Sequence, residues 1–494
     1  MQNAMLHEPV PQWARFELQL PGSTEGNPYL DTDWTVIFCH DKTEQKVSGF
    51  YAGNGEYVVR FMPSDIGDWT YEAFSNLPEL NGLQGSFTCI PAAASVHGPV
   101  RTLDETRFAY ADGTPFYPFG TTAYAWIYQS EALRTATLNT LAEGAFNKIR
   151  MCLFPKNYSF NAEEPTFFPF VGSSEKGFDY TRFNPVYWEH VENCIEALLE
   201  LQIEADLILF HPYDKGRWGF DRMTADEDNR YLQYAIARLG AYRNVWWSMA
   251  NEYDFMSEKA MSDWDRLISL AAEEDPYAHL LSIHNGTAMY IPESIVMYDH
   301  SRPEITHCSI QHWDVTLVTS WRAQYGKPVI VDECGYEGNL QQRWGNLSAE
   351  EMTHRIWESF ARGGYASHGE TFLHPEDEIW WAKGGTLYGR SHEHIRFLRQ
   401  VAEQMPTDTM PIPLRDVPVM GVEGEYYLHY YGQHQPGYRE VDLPEEQEFV
   451  AEWIDTQGME ITRLVQTYRG KSRIPLPSRP YFALRLSAVQ PVVE

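Results

Sequence analysis

Two short acidic segments carry side chains fit for chemistry. Ser248-Met249-Ala250-Asn251-Glu252-Tyr253-Asp254 and Lys327-Pro328-Val329-Ile330-Val331-Asp332-Glu333-Cys334-Gly335 each follow an apolar, strand-like run. Each therefore brings a glutamate to the point where a strand meets a loop. Two carboxylates at strand ends, from distant parts of one chain, are what cleavage of a glycosidic bond requires. One protonates the leaving oxygen while the other stabilises or attacks the sugar cation.

The elements that must position this pair have a regular rhythm. From about residue 100, short apolar runs alternate with amphipathic helical stretches. The runs are Phe116 to Gly120, Lys148 to Leu153, Ala205 to Phe210, Val245 to Met249, Leu280 to Ile283, Thr306 to Ile310, Pro328 to Val331 and Ala366 to Gly369. Helices are predicted over Tyr187 to Leu201, Asn229 to Tyr242, Met261 to Glu274 and residues 351–363. Eight such strands in this length match a parallel (β/α)8 TIM barrel. A doubly wound open sheet is the alternative, but it usually opens on a Gly-rich turn, and Gly120-Thr121-Thr122-Ala123 is not one.

Residues 1–95 read as an N-terminal β-sandwich, with β-rich runs such as Trp34 to Cys39 and Tyr57 to Phe61 separated by Gly-rich turns. The barrel is assigned to residues 100–405. Met410-Pro411-Ile412-Pro413 reads as a linker, and residues 410–494 as a small C-terminal β domain. The fold class is thus α/β, a barrel flanked by two β regions.

Catalytic groups of such a barrel gather at the C-terminal ends of its strands. Strand two would deliver Arg150, strand three His211 and strand four Asn251 and Glu252. Strand five would deliver His284, strand six His312 and Trp313, strand seven Glu333 and strand eight Glu370. Trp380 and Trp381 lie in the loop beyond. This set suits gripping hydroxyls and flat sugar faces. Strands four and seven face one another, which sets the carboxyls roughly 5 Å apart, the spacing of a retaining mechanism. Glu252 would be the acid and then the base, with a raised pKa. Glu333 would be the nucleophile, kept ionised by Arg150, and Asn251 would hold the neighbouring sugar hydroxyl.

Each assignment has a competitor. Asp254 competes with Glu252, and Asp332 and Glu337 compete with Glu333. Asp332 is expected to point the other way on an alternating strand. Arg150 also reads as a structural ion pair, and His211, His284 and His312 as hydrogen-bonded structural histidines. The two tryptophans also read as lid material.

Composition narrows the partners. The formal charge of −31 repels phosphate backbones and anionic lipid, so neither nucleic acid nor a membrane surface is expected. A small neutral carbohydrate fits better, and the 16 Trp and 30 Tyr supply faces for it. The N-terminal stretch from Met1 to Glu8 lacks basic and apolar signal regions, so a cytoplasmic location is expected. The six cysteines form no CxxC pair and read as free thiols. No HxH or HExxH motif lies near a strand end, so no metal or other cofactor is expected. The oligomeric state stays open, a homo-oligomer included.

Arg150, Asn251-Glu252 and Glu333 fall in the order and spacing of the cellulase-like clan of retaining (β/α)8 glycoside hydrolases, which the chain resembles. Val47-Ser48-Gly49-Phe50-Tyr51-Ala52-Gly53, with Val59 to Pro63 and Gly67-Asp68-Trp69, resembles the β-sandwich that precedes apiosidase-like barrels. Val245 to Asp254 resembles their strand-four signature. The resemblance covers most of the chain and implies a fold and a bond-cleaving chemistry, not a sugar. The expectation is a retaining glycoside hydrolase of neutral oligosaccharides or glycosides, exo-acting, its cleft walled at one end by the loop from Asn157 to Phe178. The alternatives are a carbohydrate-binding protein without catalysis and a metal-dependent hydrolase.

Overall fold

The computed structural model describes residues 5–286, 289–374, 379–413 and 416–489. Its central part is mixed α/β, with parallel strand segments at β1 (Gly120–Thr122), β2 (Lys148–Cys152), β3 (Glu204–Phe210), β4 (Val245–Ala250), β5 (Leu281–Ser282), β6 (Cys308–Gln311), β7 (Val329–Glu333) and β8 (Tyr365–Ala366). The first five pair in sequence order, as do the last three. A parallel bridge between His284 and Ser309 joins the two groups, and another between Thr121 and His368 joins the first strand to the end of the last.

Among the described residues, an α-helix follows each of these strands except β5: α1 (Glu131–Ala142), α2 (Pro185–Glu200), α3 (Ala225–Leu239), α4 (Met261–Glu274), α5 (Val318–Tyr325), α6 (Ala349–Ala361) and α7 (Ser391–Glu403). Their starts are written locally. Thr224 accepts from the Glu227 amide while the Glu227 carboxylate accepts from the Thr224 amide, a reciprocal cap at α3. Ser130 and Ser348 cap α1 and α6.

The run Phe116 to Gly120 is not a single strand. Val100–Thr102, Phe108–Tyr110 and Pro115–Phe116 form a small antiparallel sheet, and β1 begins only at Gly120. Asn147 holds the break open. Its amide donates to the Tyr117 carbonyl at 2.8 Å and its carbonyl accepts from the Phe119 amide at 2.8 Å. Phe108 and Phe116 pack on Trp246.

Short parallel strands that face one another usually fill their interior with branched apolar side chains. Here one interior layer is ionic. The Lys148 ammonium lies 2.8 Å from both Asp206 and Asp332, and the Arg150 Nε lies 3.6 Å from Asp206 and 4.0 Å from Asp332. The Ser309 and Ser367 hydroxyls complete the Asp332 carboxylate at 2.6 and 2.9 Å. Gly120 leaves room for this layer, since a Cβ there would lie 2.8 Å from Lys148 Cε. Burial opposes the Asp332 charge, but Lys148 and Arg150 outweigh it and hold the pKa far below the usual carboxylate value.

The N-terminal region forms two sheets, the larger one mixed, since Met5–Leu6 and Val10–Pro11 pair in parallel with Gln84–Ile90, and the smaller one antiparallel. One contains Trp34–His40, Thr43–Ser48, Gly67–Ser75 and Gln84–Ile90, and the other Phe16–Pro21, Phe50–Gly53 and Glu56–Phe61. Phe38 stacks on Phe61 at 4.0 Å between them. Tyr277 from the central region enters this core, its hydroxyl donating to the Arg60 carbonyl and accepting from the Met62 amide, each at 3.1 Å. Arg60 and Arg238 converge on the buried Glu192.

Met410–Pro411 is not a free linker. It pairs with Val419–Val422 as the edge of a six-stranded C-terminal sheet, where a proline without an N–H is tolerated. The six cysteines are unpaired, and Cys39 is only half-buried. Among the described residues, no helix is long and apolar enough to cross a membrane.

The ionic layer has a measurable weight. Lys148→Met leaves Asp206 and Asp332 buried with Arg150 alone, and such a broken cluster costs about 3–5 kcal/mol. Denaturant unfolding is expected to shift to a clearly lower midpoint, and an unchanged midpoint would remove the layer from the stabilising interactions.

Candidate active site

Glu252 stands two residues past the end of β4. Its backbone is left-handed, at φ 52° and ψ 51°, a conformation that costs a non-glycine residue about 1–3 kcal/mol. The flanking backbone enforces it. The Asn251 amide donates to Phe210 O at 3.0 Å, and the Tyr253 amide donates to His284 O at 3.1 Å. Gly286 clears the space for the side chain, because a Cβ there would lie 2.4 Å from Glu252 Cβ. Asp254, the competing acid, accepts from the Gly286 amide, and the Gln311 side-chain amide donates to the Gly286 carbonyl at 2.8 Å.

Glu333 ends β7 beside a bulge. Ile310 pairs with Val331 but Gln311 pairs with Glu333, so Asp332 has no partner across the ladder. Bulges re-aim side chains. Here the bulge corrects the simple alternation expected for Asp332. That residue turns into the ionic layer, and Glu333 still reaches the same arginine, with Arg150 Nη1 3.7 Å from Glu333 Oε1. The Tyr124 hydroxyl donates to Glu333 Oε1 and lies 3.4 Å from Asn251 Oδ1. Tyr124 itself is pinned between β2 and the segment at Trp381, by Cys152 N to Tyr124 O at 2.8 Å and Tyr124 N to Trp381 O at 3.0 Å.

The two glutamates are treated oppositely. Glu333 receives a hydroxyl donor and faces a guanidinium. Glu252 Oε2 is buried with no hydrogen-bond partner. Burial raises the Glu252 pKa well above its ordinary 4.5, and the Glu333 charge raises it further, against a smaller opposing pull from Lys156.

Over the pair lies an aromatic shell. Trp381 packs against Tyr124, Tyr158, Phe160, Tyr336 and Trp344. The Lys156 ammonium sits inside it, 3.5 Å from the ring centre of Tyr124 and 3.8 Å from that of Tyr213. Neither Tyr124 nor Lys156 was singled out from the sequence. The signal for Tyr124 was present, because it follows β1 and so stands at the C-terminal end of a central strand. Lys156 belongs to a loop and had no such signal.

The other candidates divide. His211 is fully engaged with backbone, its Nε2–H donating to Phe154 O at 3.1 Å and its Nδ1 accepting from Tyr213 N at 3.2 Å. Burial pushes its pKa down to about 3, so it is neutral. His284 is buried beside the ionic layer, its pKa driven well below 6.5 by burial and by Arg150. His312 accepts from the Asp314 amide at 2.9 Å. Trp313 is 39% exposed and stacks near Tyr290 on the outer rim. Trp380 is core, its indole N–H donating to Thr121 Oγ1 at 2.8 Å, and only Trp381 joins the shell.

Glu370 accepts from the Tyr388 and Gly389 amides at 2.6 and 2.8 Å, and Glu337 accepts from the amides of Arg390 and Ser391 at the start of α7. These two acids and His368 lie close enough to one another to hold a metal ion. Their carboxylates are nonetheless committed to backbone N–H groups, which makes them anchors of the α7 approach.

The raised pKa of Glu252 links to stability with a defined sign. Below about pH 4.5 the carboxyl is protonated in the folded and unfolded chains alike. As pH rises above that, the unfolded chain releases a proton that the folded chain retains, so the folded state loses relative stability. Glu252→Gln removes this loss. Its thermal midpoint is expected to exceed that of the wild type at pH 7 and to converge with it below pH 4.5; a gap independent of pH would contradict the assignment.

Residues 103–394 match the family described as Apiosidase-like, catalytic domain. Residues 9–76 and 415–487 match two domains of unknown function, DUF5060 and DUF5605. No curated protein matches. A solved structure from Bacteroides vulgatus ATCC 8482, named provisionally as a glycoside hydrolase, is 40% identical, covers 98% of this chain and 100% of its own, and superposes with a TM-score of 0.92. A glycoside hydrolase family 5 structure from the same organism is 15% identical with a TM-score of 0.57, covering 79% of this chain and 94% of its own. Another glycoside hydrolase is 15% identical with a TM-score of 0.56, covering 79% and 97%. The last two share a fold of TIM-barrel type with this chain. The chain belongs to the Apiosidase-like catalytic domain family, and it is a glycosidase.

Proposed function

We propose that this glycosidase is a retaining enzyme that cleaves a neutral oligosaccharide or glycoside by double displacement, with Glu333 as nucleophile and Glu252 as acid and then base. The opposite treatment of the two carboxyls carries the reading. Glu252 is buried without a donor beside a negative charge, which keeps its proton in place for a leaving group. Glu333 faces Arg150 and the Tyr124 hydroxyl, which suit a carboxylate.

The steps follow from these states. Glu333 attacks the anomeric carbon as the glycosidic bond breaks, and the Glu252 proton passes to the departing oxygen. The sugar is then esterified to Glu333, and Glu252 is an anion. It takes a proton from water, whose oxygen attacks the same carbon and frees Glu333. Asn251 Nδ2 has no protein partner and suits the hydroxyl beside the reacting carbon.

The wider architecture is proposed in the same terms. Parallel pairing in sequence order, with bridges at His284–Ser309 and Thr121–His368, supports one closed (β/α)8 barrel. The N-terminal sheets act as a sandwich packed through Tyr277 and Arg60, and the C-terminal sheet as a second packing partner. Tyr158 and Phe160 lean on Trp381, so the loop after β2 covers one side of the pair. A cavity of about 370 Å³ lined by Tyr213, Phe255 and Met256 adjoins the aromatic shell through Tyr213, and neither glutamate lines it. A pocket blocked on one side suits exo action on a small substrate, and that accords with a cytoplasmic location.

The test is a screen of aryl glycosides and oligosaccharides followed by substitution. Glu252→Gln and Glu333→Gln are each expected to lower kcat by about 10³-fold or more on the substrate that the wild type uses. Azide added to Glu333→Ala is expected to yield an azido-sugar of inverted configuration. Full activity in either Gln variant ends the assignment.

A further inference from the structure

Lys156 is 1% exposed, and its ammonium has no hydrogen-bond acceptor in the protein. Other buried lysines are treated differently. Lys148 is held by Asp206 and Asp332 at 2.8 Å, and Lys259 by Asp228 at 2.6 Å. In place of an acceptor, Lys156 has ring faces, with Tyr124 and Tyr213 inside 4 Å and Tyr158 and Trp381 at 4.5 and 5.2 Å. Cation–π attraction recovers part of the lost hydration but uses none of the three N–H donors directionally.

The placement bears on the reaction. Tyr124, the nearest ring, is the residue whose hydroxyl donates to Glu333. The Lys156 ammonium lies 3.5 Å from the centre of that same ring, so a single side chain separates it from Glu333. A buried ammonium with unused donors, among flat aromatic faces, has the features of a sugar-binding contact: polar donors for hydroxyl oxygens and apolar faces for C–H surfaces.

We propose that Lys156 is a specificity-determining residue: its ammonium donates hydrogen bonds to hydroxyl oxygens of the sugar whose bond is cleaved, and Tyr124, Tyr213 and Trp381 form the walls around that sugar. This deepens the proposed function and rests on it. An unpaired buried donor discriminates sharply, because a sugar lacking the matching oxygen leaves it unpaired again. The protein retains a group that destabilises its empty state and is satisfied when substrate binds.

Lys156→Met tests this, since methionine keeps an unbranched apolar stem and removes all three donors. The probe is the 4-nitrophenyl glycoside that the wild type hydrolyses, together with its monodeoxy derivatives. Loss of this probe's turnover in Glu333→Gln first establishes the parent reading independently. Lys156→Met is then expected to lower kcat/KM on the parent glycoside by about 100-fold. One monodeoxy derivative should react with wild type and variant at nearly the same rate, because the oxygen that Lys156 serves is already missing.

The thermal midpoint of the variant should equal or exceed that of the wild type, because a buried ammonium without a hydrogen-bond acceptor is gone. A midpoint several degrees lower would make Lys156 structural and overturn the proposal. An equal loss on the parent and every monodeoxy derivative, or no loss on any, would overturn it as well. If the screen yields a hydrolysed uronide whose 100-fold loss in the variant persists in every deoxy derivative and vanishes in its methyl ester, the ammonium serves a carboxylate, and the hydroxyl assignment falls.

Discussion

The site depends on a buried ionic layer just beneath it. Lys148 and Arg150 leave one face of β2 two residues apart, and Asp206 and Asp332 approach from β3 and β7. Two cations and two anions balance in a space closed to water. Removing charges from water is costly, and only close mutual pairing with further hydrogen bonds offsets it. The pairing is unequal, however. Lys148 takes the short contacts to both aspartates, and Arg150 keeps only longer ones. Part of the guanidinium is left over, and its Nη1 faces Glu333. The interaction that holds the strands in register thus also delivers a positive charge to the upper rim.

That arrangement explains how the two glutamates acquire different surroundings. Glu333 continues the ionic layer upward, through Arg150 and the Tyr124 hydroxyl. Glu252 is brought in by a left-handed turn, with Gly286 pressed against its Cβ and no donor on its outer oxygen. The strain at Glu252 is maintained by hydrogen bonds from the flanking amides to the Phe210 and His284 carbonyls, so the neighbouring segments hold Glu252 in place. Both devices, a bulge before one glutamate and a positive φ at the other, occur where regular strand geometry would have aimed the side chains elsewhere.

What was legible in the sequence follows from this geometry. A glutamate at the end of an apolar run can be placed near a strand terminus from pattern alone, and so can Arg150 on a short strand. The α4 helix was readable to the residue, from Met261 to Glu274, because its apolar periodicity is unbroken. The direction of Asp332 was not readable, because a bulge shifts the alternation by one and leaves no mark in composition. Nor was the fate of His211, Glu370 and Trp380, whose polar atoms are taken by the Phe154 carbonyl, by loop amides and by Thr121. Which backbone group meets a side chain depends on loop paths, and those are set by the whole fold. Lys156 was illegible for the same reason, since it stands on a loop that folds back beneath Trp381.

The distribution of unmet hydrogen-bonding capacity is itself informative. In a folded chain, buried polar atoms are paired almost everywhere, and an exception needs a reason. Exceptions occur in several parts of this chain, and four of them stand beside the two glutamates: Lys156 Nζ, Asn251 Nδ2, Glu252 Oε2 and Arg150 Nη1 all lack hydrogen-bond partners. Two of them stand on the segment Asn251-Glu252, one on β2 below and one on the loop above, so no single local distortion accounts for the group. Three are donors. The fourth is a carboxyl whose pKa is raised well above its ordinary value by burial and by the Glu333 charge. A sugar presents mainly oxygens to such a surface, and its C–H faces match the surrounding rings of Tyr124, Tyr213 and Trp381. On the proposed function, it is the sugar that supplies the partners these atoms lack.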